Sequence, residues 1–281
     1  MDFGLHDLTH MYPNRVQTLY GAPAVIFRDH RWTLPVVFMA GEEGILKLPV
    51  RMVTFDRHRD SLAPLKGTGP LEAFRSGKIS RDTAMLAELV RDHLSPRDDD
   101  WIISGMELGL LSDVIQFGSL TETPENESAI TCYNDRFGQD HRIFHLRRPA
   151  QELSYKGALT DHGHAAVKEG LWNILNWLPE TGKIRADKHT LIVDIDLDFF
   201  TMPWEKYVFP FPPEVYEGEF FTPAQSPYCW SGLRPVDWLR SLVKSAGLVT
   251  VACEPDFCGS KDKAEQVFAD MNLFLFESSL E

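Results

Sequence analysis

The sequence has few cysteines, no excess of positive charge and no long apolar run. Its four cysteines are scattered over 281 residues, and the only close pair, Cys253 and Cys258, has a spacing unlike the usual zinc or redox pairs, which argues against a disulfide framework. No apolar stretch approaches the roughly 18 residues of a membrane-spanning helix, and the first residues lack the basic and apolar regions of a secretory signal. These absences favour a reduced, cytoplasmic protein with no membrane partner.

Acidic side chains outnumber basic ones, 41 to 28, and the formal net charge is −13. Such a surface repels phosphate backbones, so nucleic acid is not expected as a partner, whereas a cationic substrate would be attracted. With 43% hydrophobic residues the chain can bury a full core, and no internal repeat or long linker divides it. We therefore expect a single catalytic domain over residues 1–281, with a homo-oligomer left open.

Short apolar runs alternate with amphipathic stretches, a pattern typical of β-α units around a mostly parallel sheet. The predicted fold class is α/β, with a central sheet between two layers of helices. Strands are predicted at 24–27, 50–55, 101–103, 114–117, 190–193 and 248–253, and helices at 32–41, 83–94, 164–178, 234–246 and 261–275. The segments 130–133 and 142–146 flank a turn and could pair as strands.

The strand predicted at 50–55 runs directly into the motif Asp-Arg-His-Arg-Asp. If the chain stays extended there, Asp56, His58 and Asp60 point to one side, because side chains alternate at period two along a strand. Two carboxylates and an imidazole then meet at the carboxyl end of a strand, where parallel sheets place their ligand crevices. A charged surface loop, whose arginines pair with its own aspartates, is the alternative interpretation.

A second acidic motif, Asp-Ile-Asp-Leu-Asp, continues an apolar segment. Asp194, Asp196 and Asp198 alternate with apolar residues at the predicted end of a core strand. Buried carboxylates lose solvation and repel one another unless cations neutralise them. Two divalent ions would balance the charges of the aspartates at 56, 60, 194 and 196, and oxygen-rich ligation with imidazole suits Mn²⁺. A helix N-cap or an acidic surface turn is the alternative.

Together these motifs resemble those of the ureohydrolase superfamily of arginases and agmatinases, in which Asp-x-His-x-Asp is followed much later by Asp-x-Asp. A histidine of an Asp-His pair is a further ligand in that family, and here His30 follows Asp29 after the strand predicted at 24–27. The stretch 221–227, Phe-Thr-Pro-Ala-Gln-Ser-Pro, and the Gly-Leu pair after it also match a family segment. The resemblance implies a three-layer α/β/α fold and a dimanganese centre that hydrolyses a guanidinium group.

The resemblance also implies six metal ligands, shared between two Mn²⁺ ions. Those implied for one ion are His30, Asp56, Asp60 and Asp194. Those implied for the other are Asp56, His58, Asp194 and Asp196, so the family pattern makes Asp56 and Asp194 bridging ligands. Asp60 would also have a catalytic role, since it would orient the attacking hydroxide.

The chain departs from arginases after the first motif. Arginases carry a His-Gly-Asn segment there, which supplies a proton-shuttle histidine and contacts to the free amino acid, and this chain has no counterpart between Asp60 and Glu125. His162 and His164 are candidates for the shuttle, with helix capping as their alternative role. In this respect the chain is similar to the peptide arginases, which convert arginine to ornithine in precursors of ribosomal peptide natural products. An arginine-containing precursor peptide is therefore the implied substrate, and urea the implied product.

Two carboxylates compete to bind the guanidinium, which a carboxylate holds best in bidentate fashion. Glu254 follows the strand predicted at 248–253 and so faces the same crevice, and Asp237 comes shortly after the Gly-Leu pair. A solvated loop is the alternative for Glu254, and a favourable first helical turn is the alternative for Asp237. Other functions remain open: a ureohydrolase of free arginine or agmatine, a related amide hydrolase, or a metal-binding regulatory protein without catalysis.

Overall fold

The computed structural model describes residues 15–118, 130–146, 187–204, 207–211, 213, 216 and 235–280. The strands in these ranges are β1 (Arg15–Leu19), β2 (Ala22–Phe27), β3 (Val50–Phe55), β4 (Leu111–Phe117), β5 (Ile130–Asn134), β6 (Asp140–Leu146), β7 (Leu191–Asp196), β8 (Thr201–Trp204), β9 (Tyr207–Pro210) and β10 (Leu248–Ala252). The α-helices are α1 (Thr33–Glu42), α2 (Gly69–Arg75), α3 (Thr83–His93), α4 (Trp101–Glu107), α5 (Pro235–Ser245) and α6 (Lys261–Phe276).

An eight-stranded sheet runs in the order β1-β2-β10-β7-β3-β4-β6-β5. Its six inner strands are parallel, and the edge strands β1 and β5 pair antiparallel with β2 and β6. The strands β8 and β9 form a separate antiparallel hairpin. The predicted α/β class with a mostly parallel sheet is confirmed. None of the helices in the described ranges is both long and apolar enough to cross a bilayer.

Helices cover both faces of the sheet, which explains why its inner strands are apolar on both sides. One face packs against α1 to α4 through residues such as Leu34, Phe74 and Trp101. The other face packs against α5 and α6 through residues such as Leu239 and Val267. The two apolar cores, one on each side of the sheet, give the three layers that the sequence predicts.

The predicted elements that fall within the described residues agree with the structure except at 101–103, where a short strand is predicted and α4 is found. Trp101, Ile102 and Ile103 are all buried, and a short apolar run fits a buried helix as well as a strand, so periodicity alone does not separate the two. The sequence pattern also missed β1, α2 and the β8–β9 hairpin. The helix predicted at 164–178 lies outside the described residues.

The turn between β5 and β6 is organised by the carboxylate of Asp135. This side chain accepts hydrogen bonds from the backbone N–H groups of Phe137 (2.9 Å) and Gln139 (2.8 Å). It also accepts one from the guanidinium of Arg75 on α2 (2.6 Å), and His141 Nε2 lies 3.2 Å away. The edge of the sheet is thereby joined to a helix of the neighbouring layer.

We expect Asp135→Asn to remove a pH-dependent part of the stability. Burial raises the pKa of Asp135, but the hydrogen bonds from Arg75 and the turn outweigh it and lower that pKa to about 2. A folded-state pKa below the unfolded value stabilises the protein above about pH 4, and this contribution is lost as the pH falls toward 2. The carboxylate lies just beneath the surface, so after screening we expect about 1–2 kcal/mol in the free energy of unfolding.

Urea unfolding at pH 7 and at pH 3 measures this contribution. The difference between wild type and Asp135→Asn should be present at pH 7 and smaller at pH 3. Asp140→Asn changes an exposed aspartate of the same hairpin and is the matched control. An equal difference at both pH values would contradict the ion-pair explanation.

Candidate metal centre

Four neighbouring parallel strands, β2, β10, β7 and β3, carry acidic or histidine residues immediately beyond their carboxyl ends. His30 lies in a 3-10 turn after β2, and Glu254 follows β10. Asp198 lies in a 3-10 turn after β7, and Asp56 follows β3 directly. All four are buried. Because parallel strands end at the same edge of a sheet, segments far apart in sequence converge here.

The imidazole of His30 is fully buried, and its Nδ1 atom faces three carboxylates. Nδ1 lies 3.2 Å from Asp60 Oδ2, 3.5 Å from Asp196 Oδ2 and 3.6 Å from Asp56 Oδ2, and it has no hydrogen-bond partner among the described residues. The ring packs on Trp101 with 4.5 Å between centroids, and Trp101 Nε1 donates to Asp60 Oδ2 (2.7 Å). A buried ring nitrogen therefore faces three carboxylate oxygens.

A second group lies beside the first and shares Asp56 and Asp196 with it. In this group Asp56, His58, Asp196 and Asp198 each offer one ligand atom, and these atoms lie within 4.8 Å of one another. His58 Nδ1 is 2.8 Å from Asp198 Oδ2. Unlike His30, the side chain of His58 is 37% exposed. The two groups therefore differ in how far solvent reaches them.

The spacing of these atoms fits a divalent cation. Ligand atoms about 2.1 Å from one ion lie about 3.0–3.4 Å from their neighbours, close to the distances around His30 Nδ1. Burial and the neighbouring carboxylates raise the pKa of Asp56 well above its usual range and also raise that of Asp196. A bound cation would offset both effects. Buried aspartates and histidines thus lie close enough together to hold a metal ion.

Asp194, which the family pattern makes a bridging ligand, belongs to none of the metal-competent groups among the described residues. Its Oδ1 accepts hydrogen bonds from the hydroxyls of Thr250 (2.6 Å) and Thr33 (3.4 Å). Its Oδ2 accepts from the hydroxyl of Thr54 (2.7 Å) and lies 2.6 Å from His30 Nε2. The carboxylate therefore lies behind the imidazole of His30, on the side away from the cluster.

Asp198 is the ligand candidate that the sequence interpretation did not include. It is the third aspartate of Asp-Ile-Asp-Leu-Asp, and the 3-10 turn Leu197–Phe200 brings it to His58. The sequence did contain a signal for Asp198. Three aspartates at alternate positions match the Asp-x-Asp pattern of the family in two ways, as Asp194 with Asp196 or as Asp196 with Asp198. Among the described residues, Asp196 and Asp198 share a group that could hold a metal ion.

Glu254 lies beside the cluster, where a third group of possible ligands joins it to His30 and Asp196. Its Oε1 accepts a hydrogen bond from the backbone N–H of His30 (2.9 Å), and Asp98 Oδ2 accepts from the same N–H (3.1 Å). Burial, Asp196 and Asp98 raise the pKa of Glu254 well above its usual range. Glu254 (φ 39°), Asp98 (φ 56°) and Asp60 (φ 38°) all have left-handed backbones, which are uncommon outside glycine and cluster at functional sites.

Of the remaining sequence candidates, the structure describes Asp237 alone. Asp237 is half buried in the first turn of α5 and belongs to none of the three groups. His162, His164 and the stretch 221–227 lie outside the described residues, so their roles stay predictions. Asp98 and Trp101 are contacts of the centre that the sequence did not indicate.

No protein-family model matches the chain, and no curated protein matches it either. The resemblance to ureohydrolases therefore rests on the motifs, and membership of that superfamily stays a prediction.

Proposed function

We propose that the protein is a metal-dependent hydrolase that converts arginine within a peptide to ornithine and releases urea. The observation that supports this best is the buried cluster of carboxylates and imidazoles at the carboxyl edge of a parallel sheet. Glu254, a further buried carboxylate, lies beside the cluster, where we assign it the binding of a cationic group. A metal-binding cluster with a carboxylate beside it suits a substrate whose reacting carbon belongs to a cationic group.

We assign two Mn²⁺ ions to two ligand groups that share a pair of aspartates. The ligands assigned to the inner ion are His30, Asp56, Asp60 and Asp196. The ligands assigned to the outer ion are Asp56, His58, Asp196 and Asp198. This assignment differs from the ligand set that the family pattern implies. Asp196 takes the bridging position of Asp194, and Asp198 takes the terminal position of Asp196. Such ions would act as Lewis acids and lower the pKa of water toward neutrality.

Glu254 is the residue to which we assign guanidinium binding. A carboxylate matches the planar guanidinium in bidentate fashion, and burial strengthens such a pair by excluding water. The backbone N–H of His30 fixes Glu254 Oε1, so the carboxylate has a defined position relative to the ligands. Asp237 is less suited, since it is half buried on a helix and outside the cluster.

The reaction adds one water molecule to the guanidinium carbon and breaks its bond to the side-chain nitrogen. The carbon leaves as urea with the two terminal nitrogens. The side chain keeps the third nitrogen as an amine, which takes up a proton and so carries the positive charge of the former guanidinium. Asp60, whose Oδ2 is fixed by Trp101, would orient the water. His162 and His164 remain the candidates for the acid that protonates the amine.

Two features favour a peptide over free arginine. The arginase segment that contacts the α-amino and α-carboxylate groups has no counterpart in this sequence. The net charge of −13 attracts cationic peptides over a distance, and salt weakens this attraction.

Mass spectrometry tests the proposal on a pool of arginine-containing peptides incubated with the Mn²⁺-loaded protein. We expect each converted arginine to lose CH₂N₂ and to release one urea. The value of kcat/KM should exceed that for free arginine by at least about tenfold, or about 1.4 kcal/mol in the transition state. The same peptides with lysine in place of arginine are the control and should keep their mass.

Two other outcomes would contradict the proposal. Ready turnover of free arginine or agmatine, with no peptide changed in mass, would make the protein a small-molecule ureohydrolase. Absence of urea from every substrate, with metal bound, would favour the regulatory alternative.

A further inference from the structure

A row of buried polar side chains crosses the sheet just below the metal centre. Its members are neighbours in the register of five adjacent strands, and all are fully buried: Thr250, Asp194, Thr54, Gln116 and His145. The row two residues earlier on the same strands is wholly apolar and consists of Leu248, Ile192, Met52, Val114 and Ile143. Burying polar groups costs stability unless they are hydrogen-bonded, so the polar row calls for a role other than packing.

Asp194 is the second member of this row, and its hydrogen bonds leave no position for a metal. A carboxylate has about four lone-pair sites. Three threonine hydroxyls and His30 Nε2 occupy all of them. Because an ionised carboxylate only accepts, the proton of the imidazole must lie on Nε2. When a metal ion binds beside Asp60, Nδ1 is then the ring nitrogen that would supply the lone pair.

The row also reaches the loop that carries the second histidine. Gln116 Nε2 donates to the backbone carbonyl of His58 (2.7 Å) and to Asp56 Oδ2 (3.3 Å). Thr54, between Asp194 and Gln116, donates to Asp194. One continuous row therefore contacts the segments that bear both histidines of the centre.

We propose that Asp194 is a positioning residue, which holds His30 in the tautomer and orientation that bind metal, and that Asp196 takes its place as the bridging ligand, with Asp198 as the terminal ligand. The inference rests on the metal site of the proposed function but not on hydrolysis. Outer carboxylates behind a ligating histidine are usually worth about 10–100-fold in metal affinity.

Titration of the metal-free protein with Mn²⁺, followed by electron paramagnetic resonance of the free ion, tests this assignment. Asp194→Asn should still bind two ions, one of them about 10–100-fold more weakly. Asp198→Asn should lose one ion. Asp187→Asn changes an exposed aspartate just before β7 and should bind as the wild type does.

Nitrogen-15 NMR of the Zn²⁺-loaded protein gives a second readout, which a merely structural role would not change. In the wild type, Nδ1 of His30 should carry the shift of a metal-bound nitrogen, and the Nε2 proton should exchange slowly. In Asp194→Asn that proton should exchange faster. If Asp194→Asn does not fold, Thr250→Val removes one donor to Asp194 and should weaken the same ion, by a smaller factor.

Loss of one ion in Asp194→Asn, with both retained in Asp198→Asn, would overturn the proposal and make Asp194 the ligand. Unchanged Mn²⁺ affinity in Asp194→Asn would overturn it as well. These readouts are independent of urea release, so failure of the hydrolase proposal would leave the assignment standing.

Discussion

Asp196→Asn is expected to weaken Mn²⁺ binding at both groups and to reduce urea release to below about 1% of the wild-type rate. Asp196 Oδ2 lies 3.5 Å from His30 Nδ1, and the same residue belongs to the group of His58. Changes in the outer shell of a metal site cost about 10–100-fold, and loss of a shared ligand should exceed that range. His58→Asn, which affects one group only, should retain one ion.

Equilibrium dialysis with metal analysis gives the number of ions bound per chain in each variant. Asp113→Asn is a suitable control, because Asp113 lies near the start of β4, pairs with Arg142, and is remote from the carboxyl edge of the sheet. Two tightly bound ions in Asp196→Asn would contradict its assignment as the shared ligand.

Trp101 has two roles that two substitutions separate. Trp101→Ala removes one of the largest fully buried side chains and should lower the free energy of unfolding by about 3–5 kcal/mol. Trp101→Phe keeps an aromatic ring in the core and leaves a smaller cavity, so it should cost less than Trp101→Ala. It also removes the Nε1 donor to Asp60 Oδ2, so Mn²⁺ affinity should fall about 10–100-fold.

Urea unfolding in the presence of a chelator measures the stability, and Mn²⁺ titration of the folded proteins measures the affinity. Phe74→Ala is the matched core control, since Phe74 is fully buried in the same layer and packs on Phe38. It should lose stability without a change in Mn²⁺ affinity of the folded protein. Wild-type affinity in Trp101→Phe would show that the hydrogen bond to Asp60 does not support the site.

The fold was largely predictable because the inner strands are short apolar runs that end abruptly in charge. Residues 50–55 show this most clearly, and β3 has the same bounds. The segment 101–103 shows where prediction from hydrophobic periodicity fails. When a segment is buried on all sides, it lacks the alternation of apolar and polar residues that separates a helix from a strand. The turn at Asp135 depends on Arg75 from α2, a contact between distant segments that no local pattern contains.

The candidate site was predictable where a strand end fixes the direction of the side chains. Asp56 follows β3 directly and lies in the cluster, whereas Asp60 lies there through a bent chain and a left-handed backbone. The register of the second motif was not predictable, because three aspartates at period two offer two equivalent choices. In the structure the turn beyond β7 brings Asp198 to His58, which supports the register that we propose. Asp98 approaches through tertiary packing alone and has no sequence signal.

Three of the four left-handed acidic residues in the described ranges, Asp60, Asp98 and Glu254, lie around His30 and have a consequence for engineering the chain. Such backbone conformations cost about 1–3 kcal/mol each, and glycine would adopt them without strain. Glycine at these positions would also delete carboxylates that surround His30. Selection for heat resistance alone would therefore favour variants that lose the centre, and a thermostable derivative is better sought at surface positions far from the carboxyl edge of the sheet.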